Sequence, residues 1–217
     1  MILKNSFSLF IAMFIFQANS VSASTELPIE ARNFDVNVKL TGFNQEQKEK
    51  VYQAIDLIKK VIVSHEFREK VLNKEFMGKK GFFDNGGLSN EEIYHKILQG
   101  AEEKGITEAN NRMDLDLQLY QDDSKTIGYT YPHIVRIYVN KKYFDNFEPH
   151  QVADNLFHEW LHKLGFKHSV KKDENRVHSV PYSIGYLVRD LSQAQYSLAN
   201  KTAVNTIMHE QESQQSN

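Results

Sequence analysis

Apolar and polar residues change rhythm several times along the chain, and each rhythm predicts an element. In NFDVNVKL (33–40), Phe34, Val36, Val38 and Leu40 alternate with polar neighbours, the period-two pattern of a half-buried strand. Gly42 breaks it. From Asn44, a residue suited to an N-cap, Val51, Ile55, Ile58 and Ile62 recur at helical spacing and predict one long helix over 44–72. The glycine-rich MGKKGFFDNGGLSN (77–90) predicts loop and turn. Ser89, with Glu92 three residues on, reads as a capping box that opens a second helix, closed by Gly105. MDLDLQLY (113–120) alternates again, and TIGYTY (126–131) and IVRIYVN (134–140) read as two strands parted by Pro132.

A further helix starts at Glu148-Pro149, with proline at its first position. Val152, Leu156 and Trp160 form one stripe, which Ala153, Phe157, Leu161 and Leu164 broaden, so this helix belongs in the core. Gly165 stands where a helix ends in a left-handed turn. Residues 177–186 read as loop, and 191–209 as a C-terminal helix with Leu198, Val204 and Ile207 available to pack. The tail 211–217 reads as frayed. Strands and helices in this order predict an α+β or mixed α/β domain without an internal linker.

Composition narrows the possible partners. With 41% hydrophobic and 25% charged residues, the chain of 217 residues has the balance of a folded domain. Lys and Arg number 26 against 28 acids, and no basic block stands out, so a nucleic-acid partner is not expected. The N-terminus places Lys4 before an apolar run at 7–16, with small Val21 and Ala23 at the −3 and −1 positions of a cleavage site. Residues 1–23 thus read as a signal peptide, too short in its apolar run to span a bilayer, with a membrane anchor as the competing reading. The mature chain, 24–217, is expected to be secreted or periplasmic and free of the membrane. It has no cysteine, so neither a disulfide nor a thiolate latch on a metal is available.

The candidate chemistry lies in FHEWLHKLGFKHS (157–169). His158 and His162 are four apart, which on a helix separates them by about 40° around the axis and about 6 Å along it, near enough to share one ion. Glu159 lies about 100° round from His158, beside the ion rather than on it, where a base acting on a metal-held water belongs. The turn at Gly165 brings back His168 as a third nitrogen. His178 is the rival third ligand, and the glycine turn favours His168. His65 and His95 sit in charged helices and read as solvated, while His133 and His150 match no ligand spacing. Three neutral imidazoles with one open position describe a catalytic zinc site, although cobalt, nickel or copper suit the same cage.

HEWLHKLGFKH (158–168) fits HExxHxxGxxH, and through it the chain resembles the metzincin zinc metalloendopeptidases. The resemblance implies a metzincin-like α+β fold with a cleft between two lobes. The larger, about 24–165, would hold a twisted mixed sheet, two long helices and the active-site helix; the smaller, about 166–210, would end in a helix. It implies His158, His162 and His168 as ligands of one Zn2+, Glu159 as general base, and an endopeptidase acting on peptide or protein substrates; secretion is expected from the signal peptide, and a monomer is expected. The family also carries a methionine turn beneath the metal, followed by a tyrosine. PYSIGY (181–186) is the candidate, with Tyr186 in the tyrosine's place and Ile184 where methionine is expected. Tyr186 would donate to the developing oxyanion or ligate the ion, core packing being its other reading. TIGYTY would be the edge strand that pairs with substrate, or else an internal strand. KKDENR (171–176) reads as a solvated loop. A zinc-braced binding module without proteolysis, and a secreted effector or toxin protease of narrow specificity, stand beside the endopeptidase reading.

Overall fold

Alternation produces the strands. In β1 (Asp35–Thr41) Val36, Val38 and Leu40 turn to one face, and in β4 (Arg112–Tyr120) Met113, Leu115 and Leu117 do the same and are buried. The two pair in parallel, Val36 opposite Met113 and Leu40 opposite Leu117. β4 pairs in parallel with β6 (Arg136–Asn140), and β5 (Gly128–Thr130) pairs with β6 antiparallel. The mixed sheet has the order β1-β4-β6-β5, which leaves β5 at one edge. Its other face is polar: Asn37 and Arg112 bind Asp114, and Arg136 binds Asp116. The remaining short strands, β2 (Glu75–Phe76) and β3 (Lys79–Lys80), form a hairpin inside the glycine-rich segment expected to be loop. Met77 and Gly78, both at positive φ, make the two-residue turn that such a hairpin favours.

The structure, a computed structural model, describes residues 28, 31, 33–100, 102, 109–131 and 134–215, with side chains of the last helix described to 198 and at 201 and 206. The expected signal peptide, Gly105, Pro132 and His133 lie outside the described residues. Among them the fold is α+β, with six α-helices.

Three boundaries differ from expectation. The helix expected over 44–72 is two, α1 (Gln45–Ile62) and α2 (His65–Leu72). Asn44 caps the first through a reciprocal pair with Gln47, at 2.8 and 3.0 Å. Ser64 breaks the run: its hydroxyl donates to the Val61 carbonyl and accepts from the Phe67 N–H, ending one helix and capping the next. α3 (Asn90–Gln99) opens with the Ser89–Glu92 capping box but closes at Gly100, not at Gly105. Gly100 is left-handed, and a Cβ there would stand 2.1 Å from the Arg112 carbonyl oxygen, so β4 passes directly against this turn.

After the short α4 (Lys141–Phe144), α5 (Pro149–Lys163) carries the expected apolar surface: Val152, Ala153, Leu156, Phe157, Trp160 and Leu161 are buried. It packs against α1. The third difference concerns α6 (Val180–Gln215), which begins well before the expected 191 and turns 180–186 from loop into helix. Pro181 sits in its first turn, where proline fits, and Val180, Ile184 and Val188 form a buried i, i+4, i+8 stripe. These three residues join the same hydrophobic core as the sheet and α5. Gly185 lets the two helices cross closely, since a Cβ there would lie 2.6 Å from an Asp154 carboxylate oxygen.

Gly86 and Gly100 have nearly the same φ, 66° and 61°, but only Gly100 is crowded. Gly86→Ala should cost about 1–2 kcal/mol from the left-handed backbone alone. Gly100→Ala should cost clearly more in urea denaturation, because β4 must also shift; equal losses would mean that the contact with Arg112 carries no weight.

Candidate metal centre

α5 places His158 and His162 one turn apart, with ring centroids 5.1 Å from each other. The helix then stops in a Schellman turn. Gly165, at φ 88°, donates to the His162 carbonyl, and Phe166 donates to that of Leu161, each at 3.1 Å. The reversal sends the chain back so that the His168 ring stands 5.3 Å from His158 and 4.8 Å from His162. One ligand nitrogen from each residue falls within 4.8 Å of the other two, and the three can hold a metal ion. The expected trio therefore converges.

The donor set fits a small divalent cation. Nε2 of His158 and of His168 are 3.3 Å apart. Two nitrogens of a tetrahedral zinc stand about 3.3 Å apart when its bonds are about 2.0–2.1 Å. Each ring is held from behind by a backbone carbonyl: Phe166 for His162 at 2.8 Å, Ser169 for His168 at 3.1 Å, and Pro181 for His158. A carbonyl on Nδ1 fixes the tautomer that leaves Nε2 free to ligate. Burial favours the uncharged ring in all three. It holds His158 well below the ordinary histidine range, brings His162 to about 4 and lowers His168. Neutral imidazole is the form that binds metal.

Glu159 is only 6% exposed, and burial pushes its carboxyl up to about 8. One turn on, the ammonium of Lys163 is also buried and lowered to about 8, by desolvation. It donates to the carbonyls of Tyr131, Ile134 and Arg136, tying the β5–β6 connection to α5. β5 also comes close at Gly128, where a Cβ would meet the Asn155 amide at 2.9 Å. Edge strand, triad and Glu159 thus share one cleft of about 840 Å³.

Tyr186 lines this cleft, but its ring meets Tyr182, 5.8 Å away, and lies under the Arg189 guanidinium. Tyr182 stands nearer the triad, 4.5 Å from His158 and 4.8 Å from His168, and burial raises its phenol. Ile184, at the place where the family's methionine is expected, is fully buried in the core and lines a second groove. His178 packs on Phe76, beside that groove and apart from the triad. His65 is exposed, His95 leans on Tyr94 and His150 on Tyr196. Residues 171–174 are exposed as expected, but Arg176 folds back over the Tyr182 ring at 4.8 Å. Reading 180–186 as loop hid Tyr182; read as a helix, 182 and 186 fall on one face. No signal in the sequence marked Arg176.

Comparisons with protein-family models, with curated proteins and with solved structures found nothing that matches this chain.

Asp154 lines the cleft one turn before His158; burial raises its carboxyl to about 6, against the pull of Arg189 at 3.7 Å. A carboxyl with a folded pKa above its unfolded value favours the folded chain at low pH and loses that advantage as pH climbs from about 4 to about 6. Asp154→Asn should therefore raise the unfolding free energy at pH 8, by up to about 3 kcal/mol, and leave it unchanged near pH 3. Denaturant titrations at the two pH values measure the difference.

Proposed function

We propose that the chain is a zinc-dependent endopeptidase of metzincin type. The observation that carries the reading is the convergence of three uncharged imidazoles beside a buried glutamate, in a cleft bordered by an edge strand. A purely structural ion has no need of a carboxyl base, whereas hydrolysis does.

An extended peptide pairing with the free side of β5 would run along the cleft and bring its scissile carbonyl to the triad. His158, His162 and His168 would hold the ion, which supplies Lewis acidity to the carbonyl and to water. Glu159 takes a proton from the attacking water and delivers it to the leaving amine as the C–N bond breaks. Its dry surroundings raise its carboxyl above the ordinary glutamate range, so it holds a transferred proton more readily than an exposed glutamate would. Tyr182 donates its phenolic proton in a hydrogen bond to the carbonyl oxygen as charge develops there, the role the sequence suggested for Tyr186.

Digestion of casein by the purified mature chain should stop with a chelator and resume with added Zn2+; digestion indifferent to the chelator would sink the proposal. Glu159→Gln should keep its zinc while kcat/KM falls by about 10²–10⁴ or more. His162→Ala should lose bound metal and activity together, with a lower unfolding midpoint than zinc-loaded wild type, because metal affinity contributes to folding. Elemental analysis alongside the melting curve reads both.

A further inference from the structure

The cleft and the chain carry opposite charge. The whole sequence has a net charge of −2, yet Lys125, Lys172, Arg176 and Arg189 line the cleft against only Asp154 and Glu159. Arg189 is already matched, by Asp154 and by Asp190. Arg176 has no carboxylate partner among the described residues. Its Nε is buried without a hydrogen-bond partner, a costly state for a charged donor.

The position of Arg176 is set by its neighbours. Its backbone N–H donates to the Asp173 side chain at 3.0 Å, its carbonyl accepts from the Ser179 hydroxyl at 2.7 Å, and its guanidinium lies on Tyr182. Tyr182 in turn rests on His158 and His168. The cation is therefore stacked in series with these two histidines. A planar guanidinium presents two parallel N–H donors, which match a carboxylate. Lys125 and Lys172, exposed at the rim, add attraction for the same sign of charge.

We propose that Arg176 is a specificity-determining residue that clamps a substrate carboxylate beside the scissile bond, so that the cleft selects acidic peptides. This rests on the endopeptidase reading and adds the substrate class to it. The carboxylate has two possible sources, an Asp or Glu side chain or the C-terminus of the peptide.

Binding without turnover tests it. The whole mature chain carrying Glu159→Gln, loaded with zinc, is titrated into three labelled peptides of equal length, with fluorescence anisotropy as readout. One has a central Glu and an amidated end, the second has Gln and an amidated end, and the third has Gln and a free C-terminus. A side-chain clamp makes the first bind about tenfold or more tighter than the second, and a terminal clamp does so for the third. Adding Arg176→Gln should erase the difference, and Arg176→Lys should keep part of it. If Arg176→Gln does not retain zinc, Arg176→Met, which keeps an apolar stem over Tyr182, takes its place. Equal or undetectable binding of all three peptides overturns the clamp. So does a preference that survives without the guanidinium, which would belong to the metal or to the lysines. Casein digestion that succeeds while the peptides bind alike leaves the endopeptidase standing and removes only Arg176.

Discussion

One helix has to satisfy two environments, and the site depends on that constraint. Leu156, Phe157, Trp160 and Leu161 are wholly buried along one side of α5. Phe34 meets the Trp160 ring edge-on at 6.0 Å, Phe67 meets that of Phe157 at 6.4 Å, and Phe157 and Trp160 lie 5.3 Å apart. Burying side chains of this size is worth roughly 1.5–3 kcal/mol each, so rotating the helix would forfeit several such contributions at once. With its apolar side locked, α5 has one direction left in which to point His158 and His162. Packing in the core, rather than a bond between histidines, aims the imidazoles.

Around that helix, one adjoining segment returns by a local turn and two distant ones arrive by close approach. Gly165 turns the chain so that His168 returns, Gly185 lets α6 cross at Asp154, and Gly128 lets the edge strand descend to Asn155. α6 also supplies the Pro181 carbonyl that steadies His158 and the Tyr182 ring that covers two of the histidines. The centre is therefore dry enough to keep its imidazoles uncharged and to raise Glu159. Lys163 answers the same dryness by spending its three donors on backbone carbonyls of the neighbouring connection. An incoming cation would meet neutral nitrogens already turned towards it, which lowers the cost of assembling the proposed zinc site.

Much of this was legible from one-dimensional pattern. Alternation located β1 and β4, because a sheet with one buried face enforces a period of two, and Pro132 parted the segments that became β5 and β6. Asn44, Ser89 and Glu148-Pro149 located three helix starts, because capping is a local affair between a side chain and the next turn. Ser64 was missed for a related reason: a serine can cap or ride along inside a helix, and only the carbonyl of Val61 and the N–H of Phe67 within reach decided for the cap.

The spacing of His158, Glu159, His162, Gly165 and His168 determined, by helix geometry and one left-handed glycine, that three nitrogens would gather; no distant contact was needed for that. What stands around the trio was decided by tertiary structure. α6 begins at Val180 because Val180, Ile184 and Val188 find a core to enter, and that early start places Tyr182, rather than Tyr186, against the histidines. Arg176 reads in the sequence as the last of a charged run, and it becomes a cleft residue because Tyr182 offers it an aromatic face. Ligand spacing is a property of one helix and its turn, whereas the company a ligand keeps depends on which surfaces the rest of the chain must bury.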